Sequence, residues 1–111
     1  MELNKNIINS VLVLELKGDL MGGNDSDSFR GIIDEAISNE NVNVVVDLNQ
    51  VSWMNSSGLG MLISALTSLR SSDGDLKLAN VSERLKRPMK ITKLDSVFED
   101  FASVEDAIAS F

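Results

Sequence analysis

The sequence predicts an α/β fold: a mixed, mainly parallel sheet of four to five strands, opened by an antiparallel hairpin, with about four helices mostly on one face. Three observations carry this expectation. The runs Val11–Leu16 and Val42–Leu48 are dense in Val and Leu, as buried strands are. Between them, Phe29, Ile32, Ile33, Ala36 and Ile37 recur at spacings of three and four, the apolar stripe of a helix. A second such stripe, Leu59, Leu62, Ile63, Leu66 and Leu69, follows the second run. Strands that alternate with helices are joined by crossovers and so lie mainly parallel. At 111 residues the chain sits near the usual size of one domain, and residues 1–111 are expected to form one.

Taken in order, Leu3 to Ile8 pairs with Val11–Leu16 as an edge hairpin across Asn9-Ser10, and the second strand ends at the turn-prone Lys17-Gly18-Asp19. Gly22-Gly23-Asn24-Asp25 breaks the pattern, and Asn, Asp and Ser side chains are at hand to cap the first helix. The nearly unbroken β-branched run to Leu48 predicts a central strand covered on both faces. After a short link, the second helix starts near Ser56 or Ser57. Ser71-Ser72-Asp73-Gly74 turns into a short strand, Leu76–Ala79. Ser82 caps a third helix that Pro88 should kink or force to begin again, because proline has no N–H for the carbonyl of Arg84. Val97–Phe101 adds an edge strand, and Ser103-Val104-Glu105-Asp106 resembles a capping box leading into a last short helix.

Composition removes whole classes of chemistry. With no histidine and no cysteine there is no Ser–His pair, no thiol nucleophile and no ordinary zinc site. No metal or cofactor motif is evident, so neither is expected, and the reading is of a non-enzymatic protein. A net charge of −7 argues against direct contact with nucleic acid, which needs clustered Lys and Arg. No apolar run is long enough for membrane insertion, and the first residues lack the pattern of a secretory signal. A cytoplasmic protein is expected.

The segment of interest is Met54-Asn55-Ser56-Ser57-Gly58-Leu59-Gly60, a helix start outside the carboxyl end of the central strand, where ligands gather in open α/β sheets. Glycine costs roughly 0.5–1 kcal/mol within a helix, so two in one turn suggest close approach to the backbone. Free N–H groups and the positive dipole end suit a phosphoryl group there. Read from the residues alone, however, Ser56 is first an N-cap.

The run Val44 to Gly60 resembles the signature region of the bacterial STAS-domain anti-sigma factor antagonists: an aliphatic strand ending in Asp-Leu, a link, an aromatic, Met, Asp, Ser, a small residue, Gly, Leu, Gly. Leu16–Leu20, Thr92–Phe98 and Ser103–Ala107 are similar to that family as well, so the resemblance spans essentially the whole chain. It implies a STAS-like fold and a switch that works by exchanging partners. The unphosphorylated form would bind an anti-sigma factor that is also a serine kinase of the GHKL ATPase type. Phosphorylation at Ser56 would switch it off, and a PP2C-like phosphatase would restore it. About −1.5 to −2 charges added at a helix start spare the fold and disrupt the interface.

Two positions depart from the family pattern: Asn55 replaces the usual Asp before the acceptor, and Met21 stands where many members carry another. Their loss of charge fits either a differently tuned kinase or a constitutive interaction module, such as a transporter subunit or scaffold, without phosphorylation. A small nucleotide-binding protein or enzyme is a third reading. Candidate partner contacts are Met21, Gly22, Gly23, Asn24, Met54, Asn55, Ser57, Gly58 and Met61, the last expected to be exposed or partly covered by a loop. Trp53 is expected in the core, and Arg84, Lys86, Arg87, Lys90 and Lys93 on a solvated face.

Overall fold

In the computed structural model, which describes all of residues 1–111, strands and helices alternate as the periodicities require. The elements are β1 (Glu2–Ile8), β2 (Val11–Leu20), α1 (Asn24–Ser38), β3 (Asn43–Met54), α2 (Ser56–Ser71), β4 (Asp75–Ala79), α3 (Glu83–Ile91), β5 (Asp100–Phe101) and α4 (Val104–Ala109). One sheet is built in the order β1-β2-β3-β4-β5, with β1 antiparallel to β2 and every other neighbour parallel. The hairpin turns on Asn9 (φ 52°) and Ser10 (φ 67°), both left-handed, as the twist of a two-residue turn demands.

Alternation along the strands separates two cores. Leu12, Leu14 and Leu16 of β2, Val44 and Val46 of β3, and Leu76 and Leu78 of β4 pack beneath α1, α2 and α3 through Phe29, Ile33, Leu62, Leu66, Leu69 and Leu85. On the opposite face, Val11, Val13, Val45 and Ala79 meet Ala107 of α4. Three helices therefore cover one face and one short helix the other, which explains why Val44-Val45-Val46 carries no polar residue.

The strands at the site are longer than expected. β2 does not turn at Lys17-Gly18-Asp19, and β3 does not give way to a link after Leu48. Both continue, paired Lys17↔Gln50, Gly18↔Val51 and Leu20↔Met54, across two register irregularities. The bulges interrupt the regular alternation that marks a strand in sequence, while Leu20, Val51 and Met54 still point inward. β4 stops pairing with β3 at Asp47↔Ala79, so β2 and β3 run on together past the rest of the sheet.

For the third helix, the restart expected as one of two outcomes at Pro88 does not occur. The helix runs from Glu83 to Ile91, capped by Ser82 Oγ. Arg84, whose carbonyl loses its partner, is exposed, so water can satisfy that oxygen. The last strand is shorter than expected, because Phe98 is buried in the main core instead of pairing at the edge. Ser103 does cap α4, accepting from Asp106 N–H at 3.1 Å.

Candidate functional site

Asn55 is the hinge between the end of β3 and the start of α2. Its backbone is extended, φ −96° and ψ −176°, and its Oδ1 accepts from Gly58 N–H at 2.8 Å. The cap is therefore Asn55, not Ser56. The difference has a chemical consequence: Ser56 becomes the first residue of the helix, exposed, with its hydroxyl not committed to the helix end. Asn55 O accepts from Leu59 N–H at 2.9 Å, which leaves the N–H groups of Ser56 and Ser57 outside the helical ladder. No acidic side chain lies in the first turn of this 16-residue helix, so its positive end is uncompensated.

A second segment, the loop from Leu20 to Asn24, closes against this start. Leu20 O accepts from Asn55 N–H at 3.1 Å, and Met21 O accepts from Asn55 Nδ2 at 3.2 Å. Gly22, in a left-handed conformation (φ 81°), is buried against Ser57, whose Cβ would lie 2.6 Å from any β-carbon placed on it. Gly58 faces the Leu20 carbonyl so closely that a β-carbon would collide with it. The expected close approach is thus real at Gly58. It is absent at Gly60, which has no neighbour within 4 Å of a built β-carbon and lines an open groove between α1 and α2 with Ser26, Arg30 and Ser57.

The structure places the candidate contacts at different depths. Met21, Gly23, Asn24, Ser56 and Ser57 are exposed, and Asn55 is half-buried among them. Met54 and Met61 are buried, 1 % and 6 % exposed as residues, and belong to the main core. Met61 lies off the strongest stripe of α2, but α1 packs beside that helix and widens its apolar face. Gly58 is also buried, and contributes by letting the two segments close. Gly23 occupies the cap position of α1 with no side-chain bond, so the Asn, Asp and Ser available nearby go unused.

Trp53 reverses its expectation. It is 44 % exposed, on the stretch of β3 beyond its pairing with β4. Once β3 is known to continue past Leu48, the buried Met54 places its neighbour Trp53 on the other face. The main-chain carbonyls of Leu20 and Met21 were also not legible as site groups, since no side-chain pattern reports on them.

With this geometry in place, the comparisons with known proteins decide the family. Residues 2–107 match the STAS domain. The chain belongs to the STAS-domain family. An anti-sigma-B factor antagonist of Listeria monocytogenes is 40 % identical to this STAS domain over 60 residues, 54 % of the chain and 53 % of the relative. The match therefore spans about half the length of that relative. The structure of the Bacillus cell fate determinant SpoIIAA in its phosphorylated form superposes with a TM-score of 0.76 at 22 % identity, covering 98 % of each chain. A sulfate transporter family protein from Wolinella succinogenes superposes with a TM-score of 0.81 at 19 % identity, covering 96 % of this chain and 88 % of that one. Likeness at these identities establishes the fold, which serves proteins of both kinds. No helix of this STAS domain is long and apolar enough to cross a membrane.

Proposed function

We propose that this STAS domain is an anti-sigma factor antagonist that works by partner switching, with Ser56 as the phosphate acceptor. The observation that carries the reading is the position of Ser56. It is exposed in the first turn of α2, relieved of capping by Asn55, with its own N–H and that of Ser57 unclaimed at an uncompensated dipole end. The curated relatives named as anti-sigma-B factor antagonists support the antagonist role. In this reading, the unphosphorylated chain binds an anti-sigma factor that is also a GHKL-type serine kinase, and a PP2C-like phosphatase reverses the modification. The domain itself catalyses nothing and acts in the cytoplasm, as one unit over residues 1–111.

The physical mechanism is local. A phosphoryl group on Ser56 meets backbone donors on its own side and a partner surface fitted to a hydroxyl on the other. The fold tolerates it while the interface does not. A loss of about 2.7 kcal/mol at the interface weakens binding roughly a hundredfold.

Incubation with the cognate kinase and ATP, followed by peptide mapping, tests the reading. Phosphate on Ser56, abolished by Ser56→Ala, is expected, with the modified chain losing affinity for the kinase. Absence of phosphate on Ser56 sinks the phosphorylation half. One observation favours a constitutive interaction module instead: positions 21 and 55 are neutral Met and Asn. In that case incubation with the kinase and ATP would leave the chain unmodified and its partner affinity unchanged.

A further inference from the structure

The two departures from the family pattern, Met21 and Asn55, are the two ends of one contact. Asn55 Nδ2 donates to Met21 O at 3.2 Å while Oδ1 of the same amide accepts from Gly58 N–H at 2.8 Å. These partners fix the orientation of the amide, since an N–H requires the oxygen and a carbonyl requires the nitrogen. An ionised Asp could fill the first role but not the second, because a carboxylate only accepts. On either side of this bond, Leu20 O accepts from Asn55 N–H at 3.1 Å and Gly22 packs on Ser57. Three consecutive loop residues are thereby seated on the helix start, yet the Met21 residue remains 48 % exposed.

We propose that Asn55 is a positioning residue: its amide latches the Leu20–Asn24 loop to α2, so that the exposed Met21 is held at the start of that helix as a preformed, uncharged contact for an apolar surface on the partner. The proposal rests on the reading of the Ser56 face as the partner-binding face. A loop already held in its bound conformation loses less freedom on association. The flexible thioether side chain suits an apolar recess. Replacing a carboxylate by Met removes an anion that a basic partner would select, so discrimination at this position shifts from charge to shape.

Asn55→Asp separates the latch from the cap. Aspartate caps as well as asparagine and favours the positive helix end, so the thermal midpoint should not fall. The bond to Met21 O is lost. Amide hydrogen exchange of the chain alone is then expected to quicken about three- to tenfold at Asp25 and Ser26. Their N–H groups bond Gly22 O at 3.3 Å and Gly23 O at 3.0 Å, and so report on the loop. The Met21 methyl resonance should move toward its unstructured position, with the Val44–Val46 amides unchanged. Equal exchange at Asp25 and Ser26 in both proteins overturns the latch.

The contact is read separately, by titrating each variant with the purified cognate anti-sigma factor. Met21→Ala should weaken binding about tenfold, in a complex nearly indifferent to added salt. Asn55→Asp should weaken it despite an undiminished midpoint. Wild-type affinity in Met21→Ala overturns the apolar contact. If Ser56→Asp and every Met21 and Asn55 variant bind alike, the partner-binding face itself is misassigned, whereas the exchange signature still decides the latch.

Discussion

The α-carbon of Gly58 lies against the carbonyl oxygen of Leu20, with no room for a β-carbon between helix and strand end. Gly58→Ala must therefore push the two segments apart, at a cost of about 1–3 kcal/mol typical of overpacking. Gly60, two residues on, has open space around it. Gly60→Ala should instead stabilise by about 0.5–1 kcal/mol through the better helix propensity of alanine. Denaturant titration of both variants checks the opposite signs; equal effects would mean that the contact with Leu20 yields easily.

Capping by Asn55 separates two neighbours that look interchangeable in sequence. Asn55→Ala should cost about 0.5–2 kcal/mol, the usual range for losing a side-chain cap. Ser56→Ala should stay within about ±0.5 kcal/mol, as exposed positions do. Thermal unfolding of the pair reads the difference, and a large loss in Ser56→Ala would return the cap to serine.

Lys77 is only 6 % exposed although it carries a cation. Its Nζ donates to Ser110 O at 3.0 Å and Ser110 Oγ at 2.8 Å, and sits 4.4 Å from the centre of the Phe111 ring. A Glu99 carboxylate lies 3.9 Å away. The ammonium thus ties the end of α4 to the central sheet. Lys77→Ala should destabilise by about 1.5–3 kcal/mol, the range for hydrogen bonds made by a charged group. The loss should appear first as faster amide exchange in α4, with the main core protected until global unfolding.

Trp53 provides an intrinsic probe, since it is the one tryptophan and 44 % exposed. Its fluorescence should be that of a hydrated indole and readily quenched by acrylamide in the free chain. Trp53→Ala should cost less than the roughly 2–5 kcal/mol expected for Leu62→Ala in the core. Blue, unquenched emission from the folded chain would place the indole inside after all.

Where residue periodicity reports on burial, the sequence was an accurate guide. The stripe on α2 and the β-branched run of β3 correspond to the interior, and Asn9-Ser10 forms the hairpin turn. The continuation of β2 and β3 was hidden because bulges displace the alternation just where Leu20, Val51 and Met54 turn inward. That one omission accounts for Trp53 as well. Met61 was misread because its burial depends on α1 as well as on the sheet, a tertiary relationship that spacing along α2 does not encode. At the site, the serines and Gly58 were visible as residue types, whereas the bond from Asn55 to the Met21 carbonyl joins positions 34 apart and leaves no local trace.

The stretch of β3 from Leu48 to Met54 has a strand neighbour on one side only, β2, because β4 ends its pairing at Asp47. This end of the molecule is therefore an outrigger, while Val44–Val46 at its base are locked between two strands and two helical faces. Local opening at the tip breaks few of the bonds that global unfolding breaks. Residues there can change with the keel of the fold left untouched.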